Sequence, residues 1–353
     1  MPRKSSLELL RIISILAIVC GHFLSQSGLG EAMDGANRIL AILMGSGVRI
    51  GVNIFLLLGV WFMVDAKFSV ERIVRLYLEV VFYSVPITCC LFLAGQAGGT
   101  RNVIQGLLPF FGRSVWFASA YISLIALSPF LNRVFLLPRR SQQVLVGLLV
   151  VLFCVVPTIP CSTPLDYLAD FTWFCVVYLL VGMWKKCGWG TQVQGTWRFL
   201  LAGAVSYLML AAARCVPQTQ AVADYWIVNI KSFPNFICAV FAFVGFLRLD
   251  IGSNRGINAA ARAVFAVYII HQVPAFIQFQ WMKIFCAAQL LDASPLMFAC
   301  GTVGVALAVF IGASIIDFVR RRYLEPFYMS SAPVKWLVFR IAKLYGGIDE
   351  VAE

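Results

Sequence analysis

Long apolar runs separated by short polar or basic gaps dominate the hydrophobic pattern of this chain. A helix needs about 20 mostly apolar residues to cross the hydrocarbon core of a bilayer. Ten runs approach or exceed this length, and each is predicted to be one membrane-spanning helix. Their approximate bounds are 7–26, 38–64, 76–95, 115–135, 143–160, 167–184, 197–214, 226–248, 259–283 and 293–319. The expected fold class is therefore an all-α integral membrane protein, a bundle of about ten transmembrane helices.

Two weaker patterns add to this bundle. Pro109 and Gly112 punctuate an apolar stretch at 103–112, which predicts a re-entrant or interfacial piece. Residues 334–345 alternate apolar and basic positions with helical spacing, which is typical of an amphipathic helix on a membrane surface. We therefore expect one membrane domain over 1–325 and a cytoplasmic amphipathic tail over 326–353.

Composition and charge support a membrane protein and give it an orientation. The chain is 61% hydrophobic and 12% charged, whereas soluble domains are about a quarter charged. With a cytoplasmic N-terminus, twenty of the 28 basic residues, including 320–322, fall on the cytoplasmic side and five on the other. This asymmetry predicts that both termini are cytoplasmic. The basic residues do not gather on one soluble face, so we expect no nucleic-acid partner. Most of the 11 cysteines lie in apolar runs without a Cys-x-x-Cys pair, so we expect no metal.

Both histidines of the chain, His22 and His271, fall within predicted spans. An ionisable residue inside a bilayer is a functional-site hypothesis by default, and imidazole transfers protons near neutral pH. Arg11 precedes His22 by eleven residues, so the two share a helix face and lie roughly 16 Å apart along the axis. The alternative is that Arg11 extends to lipid phosphates while His22 only packs.

Other polar and aromatic positions admit a functional and a structural interpretation. Arg72 and Arg75, at i and i+3, could bind phosphates bidentately or act as cytoplasmic anchors. Trp116 and Tyr121 could line a sugar site or form an interfacial aromatic belt. Asn53 is polar at depth and could be packing alone.

The ninth predicted span contains a further candidate pair. Tyr268 and His271 lie one turn apart, and Pro274 would free a backbone carbonyl beside them. The alternative is a kinked helix with a hydrogen-bonded histidine. Tyr268 or Asn53 could donate a hydrogen bond to a developing oxyanion.

Together these motifs resemble the integral-membrane acyltransferase-3 family, and specifically its surface-polysaccharide O-acyltransferase branch. The matching segments, in the family's order, are Leu-Leu-Arg-Ile…Gly-His ending at His22, Val-Asn-Ile-Phe…Gly from 52, the Arg-x-x-Arg pair followed by Val-Val-Phe-Tyr, the Pro-Phe…Trp-Phe…Tyr-Ile…Pro-Phe-Leu-Asn block ending at 132, and Val-Tyr-Ile-Ile-His from 267. The resemblance extends over nearly the whole chain, from about 6 to 322.

The resemblance implies an activity and a location. Members of this family transfer an acyl group, usually acetyl, from cytoplasmic acyl-CoA to a hydroxyl of an envelope glycan or a lipid-linked saccharide. It implies a multi-pass protein of the bacterial inner membrane. The resemblance implies that Arg11, His22, Arg72 and Arg75 are essential positions, and His271 and Tyr268 match a further motif of the family.

The sequence also departs from the family. Leu58-Gly59 replaces the Ser-Gly of many relatives, which argues against a hydroxyl there. Some relatives carry an additional extracytoplasmic esterase-like domain that this sequence does not contain. We therefore expect the membrane domain to acylate its acceptor directly.

Two functions remain open at this point. In the acyltransferase, Arg72, Arg75 and Arg11 would hold the phosphates of acyl-CoA, and His22 would act as general base or transient acyl carrier. The alternative is a proton- or anion-coupled transporter. Its pathway would contain both histidines with Arg49 and Lys231, and the broken-looking stretch at 229–235 suits a discontinuous helix. In either case Arg49 and Lys231 are expected to face a passage through the bundle.

Overall fold

The computed structural model describes residues 4–111, 115–160, 170–186 and 195–346, which are 86% helical and contain no strand. The all-helical class is thus confirmed. The helices are α1 (Ser5–Gln26), α2 (Leu29–Ala32), α3 (Gly35–Gly45), α4 (Gly47–Met63), α5 (Val70–Leu93), α6 (Thr100–Leu107), α7 (Trp116–Leu131), α8 (Arg139–Val150), α9 (Asp170–Lys186), α10 (Thr196–Cys215), α11 (Pro217–Val228), α12 (Phe233–Arg248), α13 (Arg255–Ala260), α14 (Val264–His271), α15 (Pro274–Phe279), α16 (Pro295–Val319), α17 (Glu325–Ser330) and α18 (Ala332–Tyr345).

Several of these helices are long and apolar enough to cross a membrane. Within the described residues, seven continuous helical segments meet that criterion. Two more spans each consist of a bent pair: α11 with α12, at 60°, and the segment Arg255–His271 with Pro274–Ile284, at 87°. Counting each pair as one span gives up to nine. α9 coincides with the predicted sixth span but has 17 described residues, and 161–169 lie outside the described part. The protein is a multi-pass membrane protein, and the count of ten remains a prediction.

The contact between α1 and α4 determines the centre of the bundle. α1 also packs against α3, α12, α14 and α16, so its apolar side chains lie in the main core. At the α1–α4 contact, Gly21 faces the side chain of Val48 with no room for a Cβ atom. Small residues at such a crossing allow two membrane helices to approach closely. The next residue on each helix is His22 on α1 and Arg49 on α4, and both line the same cavity.

The segment predicted to be re-entrant packs along α5. It consists of α6 and a 3₁₀ turn at Pro109–Phe111, while residue 112 lies outside the described residues. The hydroxyl of Ser84 donates to the carbonyl of Gly106 at 2.7 Å. The rings of Tyr77 and Phe110 stack with centroids 4.6 Å apart. The segment thus follows α5 toward the α5 N-terminus, as a re-entrant piece would.

The predicted amphipathic tail forms a helix. α18 covers the expected stretch at 334–345 and none of its residues is buried. The guanidinium of Arg340 lies 5.5 Å from the centroid of the Trp336 ring. The hydroxyl of Tyr345 donates to the carbonyl of Ala126 at 3.1 Å, which attaches the helix to the end of α7.

Candidate functional site

A cavity of about 900 Å³ runs through the bundle and is lined by residues of α1, α4, α5, α7 and α14. Eight of the site residues predicted from the sequence lie on its wall. They are Arg11, His22, Arg49, Arg72, Arg75, Trp116, Tyr121 and Tyr268. Arg11 and His22 both face the cavity, as their helical spacing predicts. Because one cavity collects residues from five helices, it is the candidate active site.

One end of the cavity is rich in arginine. Arg11 and Arg72 lie there with Arg262, which is not among the candidate site residues predicted from the sequence. Arg11 pairs with the carboxylate of Glu8 at 2.7 Å. Arg72 instead donates to the hydroxyl of Tyr121 at 3.4 Å, and none of the described carboxylates pairs with it. The guanidinium of Arg72 is therefore available to an anion that enters the cavity.

Gly59 explains how Tyr121 reaches this end. A Cβ atom at Gly59 would lie 2.7 Å from the Tyr121 ring, so the absence of a side chain on α4 makes room for that ring. The sequence has Leu58-Gly59 where Ser-Gly is expected from the resemblance, so the glycine is the same. In the structure this glycine makes room for the Tyr121 ring beside the cavity.

Arg75 is more strongly engaged than Arg72. Its Nη2 lies 2.7 Å from Glu71 and its Nε lies 3.3 Å from Glu325. Glu325 also accepts from Nη1 of Arg320 at 2.8 Å. An anion that binds Arg75 must therefore compete with two carboxylates, one of which belongs to a larger buried cluster.

That buried ion cluster was missed by the sequence analysis. Arg320 is only 2% exposed, and its Nη2 lies 2.8 Å from Asp317 and 3.2 Å from Glu79. Its Nε donates to the hydroxyl of Tyr83 at 2.8 Å. The signal was present, because Glu79 and Asp317 are carboxylates inside apolar runs, where an ion pair is the usual solution. Arg320 was interpreted only as a cytoplasmic anchor, and it instead closes the cavity wall.

The two histidines, 249 residues apart in sequence, are in contact. Nδ1 of His22 lies 3.0 Å from Nε2 of His271. Nδ1 of His271 lies 2.6 Å from the carbonyl of Val267, which can only accept, so that nitrogen carries a proton. A neutral His271 therefore offers Nε2 as an acceptor, and His22 donates to it from Nδ1. This arrangement leaves the lone pair of His22 on Nε2, which has no hydrogen-bond partner among the described residues.

A chain of amides reaches the same nitrogen of His22. Trp281 donates from Nε1 to Gln26 at 2.9 Å, and Gln26 donates to Gln272 at 3.2 Å. The amide nitrogen of Gln272 lies 2.9 Å from Nδ1 of His22. Nδ1 thus has two alternative partners: it donates to His271 when protonated and accepts from Gln272 when it is not. Neither Gln26 nor Gln272 was identified from the sequence.

Pro274 interrupts the helix more severely than expected. The sequence analysis weighed a kink, whereas the structure ends α14 at His271 and starts α15 at Pro274, with an 87° bend between the helical segments. The break frees the carbonyl of His271, and Gln280 donates to it at 2.6 Å. The bend therefore holds the completely buried His271 in place from its backbone.

Tyr268, Trp116 and Arg49 surround the cavity near the histidines. The hydroxyl of Tyr268 accepts from the backbone N–H of Phe117 at 3.2 Å, at the start of α7. Because a backbone N–H can only donate, the Tyr268 hydroxyl keeps its own proton for another acceptor. The guanidinium of Arg49 lies 5.3 Å from the centroid of the Trp116 ring. Arg49 faces the cavity as expected.

Asn53 does not line the cavity, contrary to its expected role in binding substrate. Its side-chain nitrogen donates to the carbonyl of Ile230 at 2.9 Å and to Asn235 at 3.1 Å. Its side-chain oxygen accepts from Trp173 at 2.9 Å. The amide is completely buried and both of its atoms are engaged, so it joins helices and has no group left for a substrate.

Lys231 also departs from its expected position. It is 5% exposed and lies in the break between α11 and α12, but it does not line the cavity. The break at 229–235 itself was predicted correctly. Lys231 is placed away from the cavity wall because the bend turns this short segment into the protein between Asn53 and α11.

Metal ligands are not grouped in the described part of the chain, where no three His, Cys, Asp or Glu side chains lie close enough to hold an ion. Comparison with curated proteins and with solved structures gives no match. The profile of the acyltransferase domain matches residues 4–316. The chain therefore belongs to the acyltransferase-3 family, and it is a membrane acyltransferase by family.

Proposed function

We propose that this member of the acyltransferase-3 family transfers an acyl group, in the first place acetyl, from cytoplasmic acyl-CoA to a hydroxyl of an exported envelope glycan. The single observation that carries the proposal is the cavity, which joins an arginine-rich end to the imidazole of His22. Arginines can bind a polyanionic acyl-CoA donor, and an imidazole can accept the proton of the hydroxyl that attacks the thioester. We also propose that the protein lies in a bacterial inner membrane; its apolar helices and its family support a multi-pass membrane protein.

The arginine-rich end suits coenzyme A. Each guanidinium can bind a phosphate through two parallel N–H donors. Arg72 is the first candidate because no described carboxylate competes for it, and Arg75 and Arg11 are the next. The bias of basic residues along the sequence supports a cytoplasmic position for this end, where acyl-CoA is available.

His22 is proposed as the general base. Its Nε2 takes the proton of the acceptor hydroxyl while the hydroxyl oxygen attacks the thioester carbonyl carbon. The carbon–sulfur bond then breaks, and the same proton passes to the departing thiolate, so the products are the ester and free coenzyme A. No other reactant is needed. An acyl group carried briefly by His22 would be the covalent variant of this step.

His271 is proposed as a positioning residue for His22. It accepts the hydrogen bond from Nδ1 and so holds the lone pair of His22 on the nitrogen that faces the cavity. When Nε2 of His22 takes a proton, the positive charge is shared across the contact between Nδ1 of His22 and Nε2 of His271. If the proton on Nδ1 of His22 moves to His271, the amide of Gln272 can donate to that Nδ1. An orienting partner of this kind fixes both the tautomer and the ring of a catalytic histidine.

The acceptor is proposed to reach His22 from the opposite end of the cavity. Ser25, Gly30 and Arg214 line that end, beyond the C-terminal half of α1. Trp116, which lies beside Arg49, offers an aromatic face to a sugar ring near the imidazole, whereas Tyr121 lies at the arginine-rich end. The transporter alternative loses one member of its pathway, since Lys231 does not line the cavity, and family membership favours acyl transfer.

The decisive experiment uses inside-out membrane vesicles with a saccharide acceptor enclosed. Radiolabelled acetyl-CoA is added outside, at the cytoplasmic face, and the expected result is labelled saccharide inside. Vesicles that carry His22→Ala provide the control. Consumption of acetyl-CoA without labelled saccharide would refute the glycan acceptor, and labelling only from acetyl-CoA loaded inside would refute the orientation. No consumption of several acyl-CoAs in any arrangement would refute the donor.

A further inference from the structure

Arg49 is a cation inside the bundle without an acidic partner among the described residues. It lies on α4, is half-buried and faces the cavity that contains His22. Its one neighbour of note is the face of the Trp116 ring, 5.3 Å away. A cation within a membrane domain is costly unless it pairs or performs a function. The aromatic ring contributes at most a few kcal/mol in such a position, and it cannot accept the guanidinium hydrogens in the way an anion does.

The position of Arg49 relative to the reacting groups is well defined. Gly21 of α1 packs against the side chain of Val48 of α4, and His22 and Arg49 follow them directly in sequence. Arg49 contacts the ring of Trp116, and the next residue, Phe117, donates its backbone N–H to the hydroxyl of Tyr268. The ring of Tyr268 lies 6.3 Å from that of His271, the partner of His22, and all three of Arg49, His22 and Tyr268 line the cavity. Arg49, His22 and Tyr268 thus surround one part of the cavity from three different helices.

Resting on the proposed function, we propose that Arg49 is a catalytic residue that stabilises the oxyanion of the tetrahedral intermediate, together with the hydroxyl of Tyr268. Attack by the acceptor oxygen moves the π electrons of the thioester carbonyl onto its oxygen. Arg49 and Tyr268 both donate hydrogen bonds to that negative oxygen. When the intermediate collapses, the electron pair re-forms the C=O bond and expels the thiolate, which takes the proton held by His22.

The geometry suits this role for two reasons. The proton of the Tyr268 hydroxyl is available, because its oxygen already accepts from the backbone N–H of Phe117. The Trp116 ring holds Arg49 from one side through an apolar surface, which leaves the donors of the guanidinium for the cavity. Donors fixed before the reaction act on charge only as it develops, and this is the largest single contribution in many acyl transfers.

The main competing role for Arg49 is recognition of an acidic group on the acceptor. The two roles differ when the acceptor is neutral, since water or a short neutral alcohol carries no anionic group. The test therefore measures kcat, the KM for acyl-CoA and the KM for the acceptor, once with a neutral alcohol and once with the glycan, in purified full-length protein. Arg49→Met removes the donors at similar length, and Arg49→Lys restores a point charge without the planar fork.

We expect Arg49→Met to lower kcat about 100- to 1,000-fold with both acceptors, with KM within about twofold of the parent. Arg49→Lys should recover part of this loss. Arg101→Gln is the matched control, because Arg101 is an exposed arginine of α6 that does not line the cavity. Its kcat should equal that of the parent. Thermal melting in detergent verifies that each variant is folded.

Each other outcome overturns the proposal in a distinguishable way. A normal kcat with the neutral alcohol but a raised KM for the glycan would make Arg49 a recognition residue for an anionic acceptor. A normal kcat with both acceptors would reduce it to a wall residue. If Arg49→Met melts well below the parent, Arg49→Lys and a Tyr268→Phe variant decide, since the proposal requires a reduced kcat in both. A parent protein that consumes no acyl-CoA would instead refute the proposed function itself.

Discussion

The polar side chains around Asn53 and those around His22 both lie inside the apolar bundle, but their polar atoms are paired to different extents. Asn53 has every polar atom of its amide engaged, by Asn235, Trp173 and the carbonyl of Ile230, and it has no contact with the cavity. His22 has partners on Nδ1 alone, and its Nε2 has none among the described residues. Both groups satisfy the rule that buried polar atoms find partners, but they satisfy it to different extents.

The comparison teaches how to separate structure from function among polar residues at depth. A fully satisfied amide joins helices and gains nothing from a ligand. An imidazole with a hydrogen-bond partner on one nitrogen only is held in a fixed orientation, and its other nitrogen can still bind a proton or a ligand. The same distinction applies to the arginines, since Arg72 lacks a described carboxylate partner while Arg320 has several.

The largest expected effect comes from removing the open imidazole. His22→Ala should lower acyl transfer by about 100- to 10,000-fold, the usual contribution of a general acid–base group. Binding of acyl-CoA should persist, because the arginines are untouched. Turnover and equilibrium binding of labelled acyl-CoA measure the two effects separately. Near-normal turnover would contradict the role of His22 as general base and would give it a structural role only, as for Asn53.

The next effect comes from the partner that orients His22. His271→Leu removes the acceptor for Nδ1, and we expect kcat to fall by about 10- to 100-fold with little change in KM, as when an outer partner of a functional histidine is lost. His271→Gln offers an amide oxygen and should recover part of kcat. Steady-state kinetics on both variants measures this. Equal losses in the two variants would indicate that His271 acts through packing.

A smaller effect is expected at the arginine-rich end. Arg72→Ala should weaken acyl-CoA binding roughly tenfold or more, because a hydrogen bond to a charged group contributes about 1.5–3 kcal/mol. Arg75→Ala should weaken it less, since Glu71 and Glu325 already hold that guanidinium. Lysine at either position should recover part of the affinity.

Isothermal titration with a non-hydrolysable acyl-CoA analogue measures these affinities. Arg139→Ala is the matched control, because this exposed arginine starts α8 and does not line the cavity. Affinities equal to the parent in both Arg72→Ala and Arg75→Ala would identify those arginines as orientation anchors only.

The smallest effect on activity is expected at Asn53, whose polar atoms are all hydrogen-bonded. Asn53→Leu removes the amide from its three hydrogen bonds, and interhelical bonds in membranes contribute about 0.6–1.7 kcal/mol each. We expect a lower melting temperature in detergent, with turnover per folded molecule within about twofold of the parent. Loss of turnover in protein that melts normally would show that Asn53 contributes to the reaction after all.

Patterns along the sequence were enough to predict the class of the fold and the local geometry of several residues. The lengths of the apolar runs predicted an all-helical membrane bundle, because a bilayer fixes the length of a span. The eleven-residue spacing predicted that Arg11 and His22 face the same way, because helical periodicity is local. The break near Lys231 was visible for the same reason, since Pro234 and its polar neighbours cannot continue an apolar helix.

Only the tertiary structure decided which of these residues meet. The contact between His22 and His271 depends on how α1 and α14 are rotated against each other, and no local pattern encodes that rotation. The same holds for Arg320, whose partners come from α5, α16 and α17. Asn53 and His22 look alike in the sequence as polar residues in apolar runs. Helix packing closed the surroundings of one and left the other facing a cavity, because whether a buried polar atom finds a partner depends on neighbours that are distant in sequence.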